Sequence, residues 1–238
     1  MKYARYLAHG QVSYGVLDGD TLLEITTSPF EEFEITDHAH PVSEVKLLPP
    51  TVPTKILAVG LNYASHLGGR PASKEPTIFL KTPSSIIGHG DAIIRPNGLE
   101  ILDEEGELVV VVKSHCRCIS KEDATRFVLG YTCGNDVSAR DWQKGDSQWW
   151  RAKSSDTFSS VGPWIADDID PGNVMLRTRV NGKEVQAEST SDFLFDVPTV
   201  ISWVSRHMTL EPGDLIFTGT PGSPAHINDG DIVEVEIE

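Results

Sequence analysis

Apolar positions along the chain alternate with polar ones far more often than they recur at helical spacing. Val12-Ser13-Tyr14-Gly15-Val16-Leu17 and Thr21-Leu22-Leu23-Glu24-Ile25 flank Asp18-Gly19-Asp20, which predicts two short strands joined by an Asp-Gly turn. Residues 28–46 are acidic and read as irregular, and Pro49, Pro50 and Pro53 then punctuate the chain. A boundary near residue 50 follows, with a small β-rich extension over 1–50 and the main domain over 51–238. Within that domain 55–60 and 77–81 read as strands. Residues 107–112 are so rich in valine that burial of both strand faces is expected. Tyr131-Thr132-Cys133 and the stretches 213–217 and 231–237 add further strands. Helices are few. Ser120 and Asp123 resemble a capping pair that opens a helix over 121–129, stopped by Gly130. Pro198 stands in the first turn of a second helix, whose Val200, Ile201, Val204 and Met208 share one face.

Composition narrows the class. The 238 residues are 39% hydrophobic and 23% charged, enough for a globular core without disulfide or metal staples. Twenty Lys and Arg stand against 35 Asp and Glu, a formal net charge of −15. No nucleic-acid partner is expected of so acidic a chain, and each cation inside a motif gains weight. The three cysteines are an odd number without a disulfide framework, which points to a reducing compartment. Cys116-x-Cys118 beside His115 lacks the usual zinc spacing and a second ligand pair, so it reads as structural. The N-terminus lacks the apolar core of a signal peptide, and the apolar run at 108–112 is too short to span a bilayer. A soluble cytoplasmic protein without a membrane partner is expected. Gly-x-Gly-x-x-Gly, Gly-Lys-Ser/Thr and Gly-x-Ser-x-Gly are all missing, against nucleotide-binding and serine-hydrolase readings.

Five segments carry candidate chemistry. Asp103-Glu104-Glu105-Gly106-Glu107 runs into the valine strand, and residues two apart share a strand face. Glu105 and Glu107 would project together, where a hard cation relieves their repulsion; taken alone, the segment reads more readily as an acidic turn in water. Asp136 follows a strand, with Arg140 and Gln143 one helical turn behind it; metal binding and helix capping are both open there. Lys153 lies among aromatic and hydroxyl residues and reads either as a buried cation for a carboxylate or as a surface lysine. His66, after the strand at 55–60, is a candidate base or an ordinary hydrogen-bonded histidine. Thr218-Gly219-Thr220 offers N–H groups and hydroxyls to an anion, or is a plain loop.

The order and spacing of these segments are more specific than any one of them. Asn62-Tyr63-x-x-His66, Phe79-Leu80-Lys81, Glu105-x-Glu107-Leu108, Asn135-Asp136-Val137-Ser138-Ala139-Arg140-Asp141, Lys153-x-x-Asp156-Thr157-Phe158, Gly162-Pro163-Trp164, Val180-Asn181-Gly182 and Thr218-Gly219-Thr220-Pro221 together resemble the catalytic domain of the fumarylacetoacetate hydrolase family. The resemblance implies an α+β, mainly β fold: a fumarylacetoacetase C-terminal-domain-like β-roll of mixed sheets with a few short helices, assembled as a homodimer. It implies Mg2+ or Mn2+ as cofactor, held by Glu105, Glu107 and Asp136. His66 and Lys153 would be catalytic. Lys81, Arg140, Gln143, Thr157 and Thr220 would surround the substrate, a small anionic 2-oxo or 2,4-dioxo acid. The metal would stabilise an enolate as it forms.

One departure bears on the reaction. Hydrolytic members carry His-x-x-Glu, in which the Glu helps the His to polarise water. Here the Glu position is Gly69, and the nearest later carboxylate is Glu75. The family-level expectation is C–C bond hydrolysis of fumarylacetoacetate or acylpyruvate type. The missing Glu favours the alternative of a 2-hydroxyhepta-2,4-diene-1,7-dioate isomerase or an oxaloacetate decarboxylase or tautomerase. A third reading, a non-catalytic ligand-binding relative, sits poorly with an intact set of carboxylates.

Overall fold

A computed structural model describes residues 1–238. The expected mainly β architecture of mixed sheets is what the chain forms. A twelve-stranded sheet dominates, beside a three-stranded and a two-stranded one. At its centre Gly106–Val112 pairs antiparallel with Val128–Asp136 on one side and Leu215–Phe217 on the other. Leu215–Phe217 runs parallel to Ile56–Gly60, which pairs antiparallel with Thr77–Lys81.

Gly106–Val112 is buried at every position, as its valine run predicts. Its two faces feed separate cores. Leu108, Val110 and Val112 pack with Leu57, Val59 and Ile216 beneath Val200, Ile201 and Val204 of the helix Val197–His207. Val109 and Val111 pack with Ile56, Ala58, Ile165 and Phe217 on the opposite face. The helix is capped by Asp196, whose side chain accepts from the N–H of Thr199 at 2.9 Å, and Pro198 sits in its first turn.

The first fifty residues extend the large sheet. Lys2–Ala8, Gln11–Asp18, Thr21–Ile25 and Ile35–Pro41 form an antiparallel meander, and Lys2–Ala8 joins Ser159–Ala166 through Lys2↔Ala166 and Tyr3↔Ile165. The strand Ile35–Pro41 lies where an irregular segment was expected. No side chain of it is buried, so hydrophobic alternation could not reveal it; an edge strand needs only its backbone ladder.

The expected helix over 121–129 is also corrected. Ser120 and Asp123 do pair, with Asp123 N–H donating to Ser120 Oγ at 3.2 Å, but they hold one 3-10 turn, Ala124–Phe127. Val128 then enters the long strand. Gly130 is not a helix stop: a Cβ there would lie 2.4 Å from the carbonyl oxygen of Ala166, so glycine permits close contact between strands.

Candidate metal and active site

The site lies where Gly106–Val112 begins and Val128–Asp136 ends. Gly106 pairs with Asn135 and Glu107 with Gly134, so Glu105 stands across from Asp136. The N–H of Asp136 donates to the Glu105 carbonyl at 2.8 Å, and Asn135 Oδ1 accepts from the Glu105 N–H at 2.9 Å. Cross-strand partners point to one side, and Glu107 shares that side with Glu105. One carboxylate oxygen from each of Glu105, Glu107 and Asp136 lies within 4.8 Å of the others, and all three residues are buried. Strand register thus gathers three acids from two segments, with glycine at 106 and 134 where a Cβ would collide with Thr178 and with Val109.

Their charges are unequally compensated. Lys153 donates to Glu105 and, at 2.8 Å, to Asp136. Arg140 donates to Glu105 at 2.7 Å and to Asp103 at 2.6 Å. Burial alone would raise the Glu105 pKa, but Lys153, Arg140 and His66 bring it down to about 2. Glu107 has no such partner. Its hydrogen bond within the protein comes from the N–H of Gly219 at 2.7 Å, and burial, followed by the charges of Asp136 and Glu105, pushes its pKa well up. Three converging carboxylate oxygens, one of them lacking a cation, suit a hard divalent ion such as Mg2+ or Mn2+.

A cavity of about 370 Å³ opens over these groups, lined also by His66, Arg140, Gln143, Lys153 and Thr220. A larger cavity of about 710 Å³ lies elsewhere, along residues 89–95, 160–163 and 227–235; it lacks the converging acids. His66 Nδ1 is 2.7 Å from the Gly222 carbonyl oxygen, and Nε2 is 3.9 Å from Glu105. A carbonyl oxygen only accepts, so in the neutral ring Nδ1 carries the hydrogen and Nε2 keeps its lone pair. No carboxylate supports the ring from behind. Gly69 has φ +82°, and Glu75 is exposed and does not line the cavity.

Three expected substrate contacts stand differently. Lys81 is fully buried, and its amine donates to Asp136, to the Lys153 carbonyl and, at 3.1 Å, to the Phe158 carbonyl. It lies under the carboxylates rather than at the cavity, because a buried ammonium needs every donor satisfied. Thr157 does not line the cavity; its hydroxyl accepts from the N–H of Ile94 at 2.8 Å. Thr220 does line it, but its hydroxyl is committed to the Gly106 carbonyl at 2.9 Å and to Gln186 at 2.8 Å. The expectation of an anion-binding loop at 218–220 is corrected in kind: the Gly219 N–H serves the protein's own Glu107.

Two acids in the 103–107 run received no role from sequence. Asp103 orients Arg140. Glu104 is fully buried, accepts from the N–H groups of Ala225 at 2.8 Å and Gly106 at 3.2 Å, and has its pKa raised by burial to about 7. Four acids among residues 103–107, leading into the apolar run 108–112, were the available signal. Cys116 packs in the core and Cys118 is exposed, both as free thiols.

Comparison with known proteins identifies the family. The family described as fumarylacetoacetate (FAA) hydrolase C-terminal matches residues 55–238, and a family described as Rv2993c-like, N-terminal matches residues 1–50. The mitochondrial oxaloacetate tautomerase of Xenopus laevis is 39% identical, covering 92% of this chain and 73% of its own. The crystal structure of 2-hydroxyhepta-2,4-diene-1,7-dioate isomerase from Mycobacterium marinum is 42% identical with a TM-score of 0.94, covering 100% of this chain and 94% of that one. That of maleylpyruvate hydrolase from Sphingobium sp. SYK-6, in complex with manganese(II) and pyruvate, is 28% identical with a TM-score of 0.83, covering 100% and 95%. No helix of the chain is long and apolar enough to cross a membrane.

Proposed function

The chain belongs to the fumarylacetoacetate hydrolase family, and on that premise we propose that it is a divalent-metal-dependent enzyme interconverting the keto and enol forms of a short 2-oxo acid, with oxaloacetate as reference substrate. The observation that carries the choice of reaction is His66: Nδ1 is held by a backbone carbonyl, Nε2 keeps its lone pair, and no carboxylate stands behind the ring.

A divalent ion held by Glu105, Glu107 and Asp136 would supply Lewis-acid polarisation of the 2-oxo group. The remaining work falls to side chains. Arg140 Nη1 donates to Gln143 Oε1 at 2.9 Å, which leaves the Gln143 amide N–H groups on the cavity wall to orient the substrate carboxylate. In the keto-to-enol direction His66 Nε2 accepts the proton from C3. The C3–H electron pair forms the C2–C3 double bond, the former carbonyl oxygen takes up a proton from solvent, and the imidazolium returns its own proton to solvent. The imidazolium so formed keeps its Nδ1–H bond to the Gly222 carbonyl, which holds the ring in place. Lys153 adds positive charge near the developing enolate and keeps Glu105 and Asp136 aligned. Base assistance of this kind is worth about 10²–10⁴-fold.

Hydrolysis of an acylpyruvate C–C bond is the second reading, supported by the same Nε2 lone pair, which is also able to accept a proton from water. It lacks the charged helper that would raise the basicity of the ring. The proposal is tested by following enol absorbance of oxaloacetate with Mg2+ or Mn2+, and again after chelation. Metal-dependent acceleration that His66→Gln abolishes is expected; decay at the protein-free rate with saturating metal would remove the proposal.

A further inference from the structure

The cavity has a charge plan that the carboxylates do not explain. At its floor the positive groups are committed: Lys153 to Glu105 and Asp136, Arg140 to Glu105 and Asp103. Two more cations line the same cavity, Arg70 and Lys144. They come from different segments, Arg70 from the loop after the 3-10 turn Ala64–His66 and Lys144 from the helix Arg140–Gly145. Both are exposed, and neither forms an ion pair. Arg70 uses only its Nε, donating to the Leu67 carbonyl at 2.8 Å, so its terminal nitrogens are free. In a chain of net charge −15, two unpaired cations on one cavity are positive groups left available to an anionic ligand.

Between floor and rim the wall is apolar. Val59, Leu61, Phe79 and Trp149 line the cavity as well, and Phe79 packs edge-on against Trp149 with ring centroids 5.5 Å apart. A ligand bound at the buried acids would run along this wall and finish between Arg70 and Lys144. Its chemistry follows from the layout: a 2-oxo acid head, a short carbon chain, and a second anionic group at the far end.

We propose that Arg70 and Lys144 form a subsite for the distal carboxylate of a 2-oxo dicarboxylate and set a preference for diacids over 2-oxo acids with a neutral tail. The head-group position rests on the function proposed above; the two rim cations do not. Both lie in solvent, where one ion pair is worth a few-fold in affinity, and their effect weakens as salt screens it.

The test compares oxaloacetate with its 4-methyl ester, which keeps the head and removes the distal charge, in the wild type and in the Arg70→Gln/Lys144→Gln double variant. The ratio of kcat/KM for diacid over ester should fall about tenfold in the double variant, through KM rather than kcat, and the wild-type ratio should shrink with added salt. Arg70→Lys, which retains the charge, should keep most of the wild-type ratio, whereas Arg70→Gln alone should lose part of it. An unchanged ratio in the double variant would overturn the proposal. If the protein turns over neither compound, the function proposed above fails, and calorimetry of the Mn2+-loaded protein still decides the subsite. Oxaloacetate binding more tightly than pyruvate in the wild type, with that margin lost in the double variant, supports it. Equal margins in both proteins overturn it.

Discussion

The Nδ1 atom of His66 and the carbonyl oxygen of Gly222 lie 2.7 Å apart, and this contact takes the place of a carboxylate behind the ring. A carbonyl fixes the tautomer but brings no negative charge to stabilise the imidazolium. Restoring a Glu at position 69 is therefore not a simple repair. Gly69 has φ +82° and Gly68 φ +58°, a region that costs a residue with a Cβ about 1 kcal/mol or more. Gly69→Glu should lower every activity together by distorting the loop beside His66. A selective rise in hydrolysis, measured as kcat/KM on acetylpyruvate, would show that the loop tolerates the side chain and that the missing acid alone limits water activation.

Glu107 is the acid that most needs a cation. Because burial and its two acidic neighbours push its pKa well up, a divalent ion competes with a proton at Glu107. Metal affinity should rise with pH, and calorimetry in buffers of different ionisation enthalpy should show proton release. Removing a group that merely supports a metal ligand costs about 10–100-fold in affinity. Glu107→Gln should cost at least as much and lower activity in parallel. Wild-type affinity in Glu107→Gln would contradict the ligand set.

Glu104 should give stability a pH signature of its own. Its carboxyl is pushed from an ordinary 4.5 to about 7 by burial, so the folded state holds a proton that the unfolded chain releases. The stability this provides is complete below about pH 4.5 and is lost as pH rises through about 7, an upper figure of about 3 kcal/mol. Urea unfolding across that range should show a falling curve, and Glu104→Gln should flatten it. Parallel curves for wild type and variant would show that Glu104 does not carry the effect.

Lys81 separates a supporting role from a substrate contact. Its amine is fully enclosed, with Asp136 and two carbonyls around it, and breaking a buried pair from one side costs about 3–5 kcal/mol. Lys81→Met should lower stability on that scale and weaken metal binding through a displaced Asp136. A variant of wild-type stability with only a raised KM would return Lys81 to the substrate.

Much of this was legible in the chain, for identifiable reasons. The valine run before Lys113 announces a strand buried on both faces, and Glu105 and Glu107 share a face because strand period is two. The pairing of Glu105 with Asp136 was not legible, since register is set by contacts such as Gly134 against Val109 and Phe217, which appear only on folding. The strand Ile35–Pro41 was hidden because it buries nothing. Lys81, Thr157 and Thr220 were expected around the substrate on family likeness. A motif places a residue near a site but does not say which of its donors the protein has already engaged, and here the protein engages those of Lys81 and Thr220.

Which step the site accelerates is read directly by one comparison. With Mg2+ or Mn2+ saturating and all else equal, kcat/KM is measured for oxaloacetate enol–keto conversion and for acetylpyruvate hydrolysis on the unmodified protein. A histidine oriented by a carbonyl and lacking a charged helper should make the first at least as large as the second, and His66→Gln should depress it. Hydrolysis well above enol–keto conversion would contradict the account and show that another group activates water in this cavity.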